Sequence, residues 1–148
     1  MSHRLNSRYA RRATSIVELA LVLPVLLALL MSILEFGYLT RNNLMLSNAA
    51  REGARSLALG QTTTVAKARL RSTASALSIP DSAISLVYST DNGATYPNAV
   101  SDSATNNAVP AGSLIKVAIN FPHKPLTGFF PVLNNYAIRV NAAMRREG

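Results

Sequence analysis

Three kinds of hydrophobic pattern divide the chain. From Leu19 to Leu34 the run LALVLPVLLALLMSIL is apolar on every side, with Ser32 its only polar residue. Counting back through Glu18, Val17 and Ile16, the segment 16–34 spans about 28 Å as a helix at ~1.5 Å per residue, close to the hydrocarbon thickness of a bilayer. A cleaved secretory peptide would show about 7–15 apolar residues and then a small-x-small site. Here the run is longer, and Glu35, Phe36 and Gly37 follow it, so the segment reads as a signal-anchor. Pro24 removes one backbone bond and kinks the helix, which membrane helices tolerate.

The pattern then changes from all-round apolar to a stripe. No proline occurs between Phe36 and Leu59. Leu44, Leu46, Ala49, Ala50, Gly53, Ala54, Leu57 and Ala58 recur at helical spacing, with Arg41, Arg51, Glu52 and Arg55 among them. Small residues in such a stripe let helices approach closely. The partner is a neighbouring helix, the chain's own C-terminal part, or both at different heights. Gly60 is a natural helix stop. One helix over 14–60 is therefore expected, about 70 Å long at ~1.5 Å per residue, which exceeds one membrane crossing.

The last pattern is mixed. Val65, Ala66, Leu70, Ala74 and Leu77 predict a short amphipathic helix ended by Pro80, with Lys67, Arg69 and Arg71 on a face that is either solvated or turned to lipid headgroups. Alternation in Ile84–Ser89, in Ile115–Phe121 and from Tyr136 to Ala142 predicts three strands, and Asp91-Asn92-Gly93 a tight turn. Residues 97–112, rich in Pro, Asn, Ser, Ala and Asp, read as a mobile loop. The expected fold class is α+β and pilin-like. A long N-terminal transmembrane helix extends into a small periplasmic domain holding a short second helix and an antiparallel β-sheet, packed by one face on the outer half of the long helix. The expected divisions are 1–13 as a basic leader, 14–60 as the helix with its span at about 16–34, and 61–148 as the small domain.

Charge refines the topology. The net charge is +8. Arg4, Arg8, Arg11 and Arg12 carry four of the fifteen basic residues, and no acid offsets them; the remaining eleven against seven acids leave +4. Basic residues just before an apolar span hold that end in the cytoplasm. That distribution argues for a topology signal, and against nucleic acid as a partner, because no aromatic–basic interleaving accompanies it.

Glu18 moves the reading from topology towards function. A carboxylate inside an apolar run costs up to ~3 kcal/mol at the bilayer centre and less near the edge, and normally needs a partner; the bland alternative is an incidental acid near the interface. Ala13 stands five positions before it, preceded by Arg11 and Arg12. The stretch RRATSIVE resembles the processing site of type IV prepilins. By that resemblance a prepilin peptidase cuts between Ala13 and Thr14, and Glu18, fifth in the mature chain, pairs with the free amine of a neighbouring subunit. In that family the small residue is usually Gly, and here it is Ala13.

More specifically, RRATSIVELALVLPVLLALLMSILEFGYL at 11–39 and NAAREGARSLA at 48–58 resemble the TadE-like family of minor pilins or pseudopilins of the Tad/Flp tight adherence pilus. The second stretch carries the family's Arg51, Glu52 and Arg55 pattern. The resemblance implies a protein of the bacterial inner membrane, N-terminus cytoplasmic and C-terminal domain periplasmic, incorporated into an extracellular pilus in some states. It implies as partners the prepilin peptidase, other pilin and pseudopilin subunits, an inner-membrane assembly platform and the lipid bilayer. The alternative is a permanently anchored periplasmic binding module whose helix is not processed and whose binding surface is the Asp91–Gly112 region.

Enzyme chemistry is not expected. His3 lies in the leader, and His123, between prolines, reads as idle. One His and scattered acids make neither a metal site nor a proton-transfer pair. The seven glycines are dispersed and form no phosphate loop. Catalytic residues, metal ligands and cofactors are therefore all expected to be none.

Overall fold

A computed structural model of the chain describes residues 6–147, with side chains described from Thr14 onward except that of Asn135. Helix α1 runs unbroken over Asn6–Ala58, 53 residues, so the leader from Asn6 is helical too and the element is longer than expected. The helix continues through Pro24, whose missing N–H leaves the carbonyl of Ala20 without its intrahelical donor. Two residues before the end of the apolar run, the Ser32 hydroxyl donates back to the Ala28 carbonyl at 2.7 Å. Gly60 terminates the helix at φ +86°. The Gly60 amide donates to Leu57 at 2.9 Å and the Gln61 amide to Ser56 at 3.1 Å, the paired bonds of a Schellman cap, which needs a left-handed residue at that point.

Helix α2, Thr63–Thr73, is capped by Thr62, whose hydroxyl accepts from the Val65 amide at 3.4 Å. It stops short of the expected Leu77. The hydroxyls of Ser72 and Thr73 both donate to the Arg69 carbonyl, at 2.7 and 3.0 Å, and such bonds compete with continuation of the helical ladder.

Four strands follow: β1 Ile84–Ser89, β2 Asn98–Ala99, β3 Leu114–Pro122 and β4 Ala137–Arg145. They pair antiparallel in the order β2-β1-β3-β4. The β3 register sets the buried face: Ile115 lies between Tyr88 and Met144, Val117 between Leu86 and Ala142, and Ile119 between Ile84 and Val140. Period two puts all these side chains on one face, and they form one core with Leu46, Ala49, Ala50, Ala54 and Leu57 of α1 and Ala66, Leu70 and Ala74 of α2. The α+β layout and the seating of the sheet on the outer half of the long helix are as expected. Leu44, read as part of the stripe, is 61 % exposed and does not join the core.

Residues 97–112 correct the expectation of a mobile loop. They contain β2, which pairs with β1, and Val109, which is buried in the core. Buried Asn107 donates from Nδ2 to the carbonyls of Leu57 at 2.8 Å and Gln61 at 2.9 Å, and its amide donates to Gly60 at 3.0 Å. Asp102 accepts from the Thr63 amide and hydroxyl at 2.7 and 2.6 Å. The Asn and Asp residues that signal a loop by composition serve here as long-range caps for the end of α1 and the start of α2.

Candidate functional site

From Thr14 to Leu27 every side chain is exposed, and the apolar window of α1 has none of its residues buried. Soluble monomers rarely show contiguous apolar patches above a few hundred Å². This helix is long and apolar enough to cross a membrane, and such a sheath suggests membrane anchoring. Glu18 lies exposed within the sheath, one helical turn from Thr14. Ala13, Arg8, Arg11 and Arg12 lie on the helix backbone, and their side chains are outside the described set, while Arg4 falls outside the described residues altogether.

A second acid, Glu35, ends the sheath. It is fully buried by residues distant in sequence. The amide of Leu126 donates to Oε1 at 2.9 Å, and the amide and hydroxyl of Thr127 donate to Oε2 at 3.0 and 2.9 Å. Nε2 of His123 lies 3.3 Å from Oε1. Burying a carboxylate is tolerable only with such a set of donors. His123 is therefore not idle: it is 1 % exposed, set between Tyr38 and Tyr136 at ring-centroid distances of 5.9 and 6.5 Å, and its amide donates to the Tyr136 carbonyl at 2.8 Å. The pair spans 88 residues of sequence. The one local signal for it was an acid placed directly after an apolar run, which is costly unless partnered. Beside it, a pocket of about 320 Å³ opens between Tyr38 and Asn42 of α1, the 76–80 connection and the end of β3.

The small-residue stripe packs within the chain. Ala49, Ala50, Ala54 and Leu57 are completely buried, and Gly53 faces α2 and the sheet. A Cβ at Gly53 would stand 3.2 Å from Cδ1 of Leu70 and 3.7 Å from Cγ1 of Val117, so glycine here sets how closely α2 approaches. The charged residues between the stripe positions lie outward. Arg51 and Arg55 are exposed, and Glu52 lies 3.5 Å from Arg69 of α2.

The apolar sheath, Glu18, Glu35 and most of the stripe thus fall in one continuous stretch of α1. Residues 13–55 match the family model of TadE-like proteins. The TadE-like resemblance read at 11–39 and 48–58 is shown over that stretch. The matched stretch is 43 of the 148 residues, and it is a likeness to TadE-like proteins over α1. No curated protein and no solved structure matches the chain. The TadE-like match ends at Arg55, before α2 and the sheet. Glu35 ties the two parts together, since it lies inside the matched stretch and its donors Leu126 and Thr127 lie outside it.

Proposed function

We propose that the chain is a minor pilin or pseudopilin of a Tad pilus, made as a precursor anchored in the inner membrane and acting in filament assembly or anchoring through α1. The carrying observation is the TadE-like stretch 13–55 on a helix that is exposed from Thr14 to Leu27 and carries an apolar, unburied window long enough to cross a membrane. In this reading the prepilin peptidase cuts the Ala13–Thr14 bond, with Arg8, Arg11 and Arg12 left in the cytoplasmic leader. The bond lies within the helix, so cleavage requires the first turns to unwind; opening is cheapest near a helix terminus. Glu18 then meets the Thr14 amine of a neighbouring subunit and fixes the axial register, because an acid and an amine in an apolar bundle stabilise each other's charge. The subunit has no catalytic activity of its own and does not bind nucleic acid.

The alternative of a binding module in the Asp91–Gly112 region has less support. Three of its polar side chains are committed to bonds within the chain: Asp91 accepts from Ser89 and Thr95, Asp102 from Thr63, and Asn107 caps α1.

N-terminal sequencing of the protein from cells with and without the prepilin peptidase tests the processing. A mature chain starting at Thr14 only when the peptidase is present is expected. A chain beginning at Met1 in both removes the claim. Glu18→Ala is expected to insert into the membrane normally and to fail in incorporation, and normal filaments from that variant would remove the pairing role.

A further inference from the structure

The β3–β4 connection, residues 123–136, lies at the end of the domain nearest the apolar sheath. Its hold on α1 is the Glu35 carboxylate, which accepts the Leu126 and Thr127 amides one residue beyond the apolar run. Yet the connection turns apolar side chains outward. Leu126 is 60 % exposed, Phe129 55 % and Val132 82 %. On α1 at the same height, Ile33 and Phe36 are exposed as well, so helix and loop both present apolar side chains at this level. No acid occurs from Pro122 to Arg146. Lys124 lines the pocket beside Tyr38 and Asn42, and Arg139 lines a smaller one beside Leu39 and Asn43. These two cations therefore flank α1 roughly 6–14 Å past Leu34, at ~1.5 Å per residue, at and just outside a headgroup layer of about 5–7 Å, from where long cationic side chains reach down to the phosphates.

We propose that the connection 124–136 is a membrane-interface anchor. Leu126, Phe129 and Val132 enter the outer part of the bilayer beside the spanning helix, while Lys124 and Arg139 meet lipid phosphates. Apolar and aromatic side chains below a cationic rim are the pattern of interfacial binding. The Glu35 bonds are what hold the loop at that depth, and the domain consequently sits on the membrane in one orientation. The inference rests on the membrane-spanning reading of α1.

The chain has no Cys, so single-cysteine variants of the full chain can carry an environment-sensitive fluorophore without a background label. The variants are Val132→Cys, Leu26→Cys in the middle of the span, and Thr105→Cys, which lies near the far end of α1. They are placed in vesicles of phosphatidylethanolamine and phosphatidylglycerol containing lipids with a nitroxide at the top of the acyl chain or deep within it. The expected result is that the shallow nitroxide quenches the Val132 label at least about threefold more than the Thr105 label, as depth-limited interfacial insertion requires. Equal quenching at Val132 and Thr105, with deep quenching at Leu26 retained, overturns the anchor and leaves the span standing. Loss of deep quenching at Leu26 overturns the span and the anchor with it. A Val132 label shielded from water only as protein density in the vesicles rises, with no lipid quenching, overturns the anchor in favour of a second copy on that face.

Discussion

Asn107 offers the most direct test of how the domain is fastened to the helix. Its side chain is 4 % exposed and makes three bonds: two donated, to Leu57 at 2.8 Å and Gln61 at 2.9 Å, and one accepted, from the Val109 amide at 3.3 Å. The Gly60 amide also donates to the Leu57 carbonyl; among the described contacts, the Gln61 carbonyl has Asn107 alone. Asn107→Ala removes two good bonds, each worth about 0.5–1.5 kcal/mol net, so a loss of roughly 1–3 kcal/mol is expected. Asn107→Asp should be worse than Ala. It puts a carboxylate oxygen within hydrogen-bond distance of two carbonyl oxygens, at the negative end of the α1 dipole. For a domain of this size, 1 kcal/mol corresponds to about 4–8 °C in Tm. The assay is thermal unfolding of the full chain in detergent, followed by near-ultraviolet circular dichroism of the tyrosines, four of which lie in or against the domain. The order wild type, Ala, Asp is expected, with Ala lower by about 4–24 °C. An Asp variant as stable as Ala would refute the placement of Asn107 against the helix carbonyls.

Other expectations follow from single contacts. Glu35→Ala strips the acceptor from the Leu126 and Thr127 amides, and a buried donor left unmade costs about 1–3 kcal/mol; limited proteolysis should cut within 124–136 faster, with helix content unchanged, and unaltered cutting would contradict the clamp. Gly53→Ala should stay within about 1 kcal/mol of wild type, because helix propensity offsets the close Leu70 contact, whereas Gly53→Leu should destabilise by about 1–3 kcal/mol through overpacking; equal Tm values for the two would argue against the close approach of α2. Asp91 accepts from the Ser89 hydroxyl and from the Thr95 hydroxyl and amide, which hold its carboxyl well below the usual carboxylate range. A depressed folded value gives stability that is full above the ordinary carboxylate pKa and is lost as pH falls through and below it. The Tm gap between wild type and Asp91→Asn should therefore be constant near neutrality and close below about pH 4; a gap that widens in acid would reverse the sign.

By itself the sequence determined everything that repeats with a short period. The apolar run, the stripe, the Gly60 stop and the alternation of Ile115, Val117 and Ile119 each depend on neighbours within a turn or a strand. Backbone geometry converts such spacing directly into a face. The TadE-like stretch was legible for the same reason, since it lies on one helix. Only the tertiary structure decided which surface those faces meet. The stripe was open between a neighbouring helix and the chain's own domain, and closure of the sheet over Gly53 and Leu57 assigned it to the domain. Residues 97–112 looked loose because Asn, Asp and Pro disfavour regular ladders, yet Asn107 and Asp102 find carbonyls and amides about 40–50 positions away. His123 looked idle and Glu35 read only as the residue that ends the apolar run, because a buried acid and its donors are separated by some 90 residues. Sequence spacing cannot rank partners at that distance. Which polar groups must find one another is set by which of them the packed core shuts away from water.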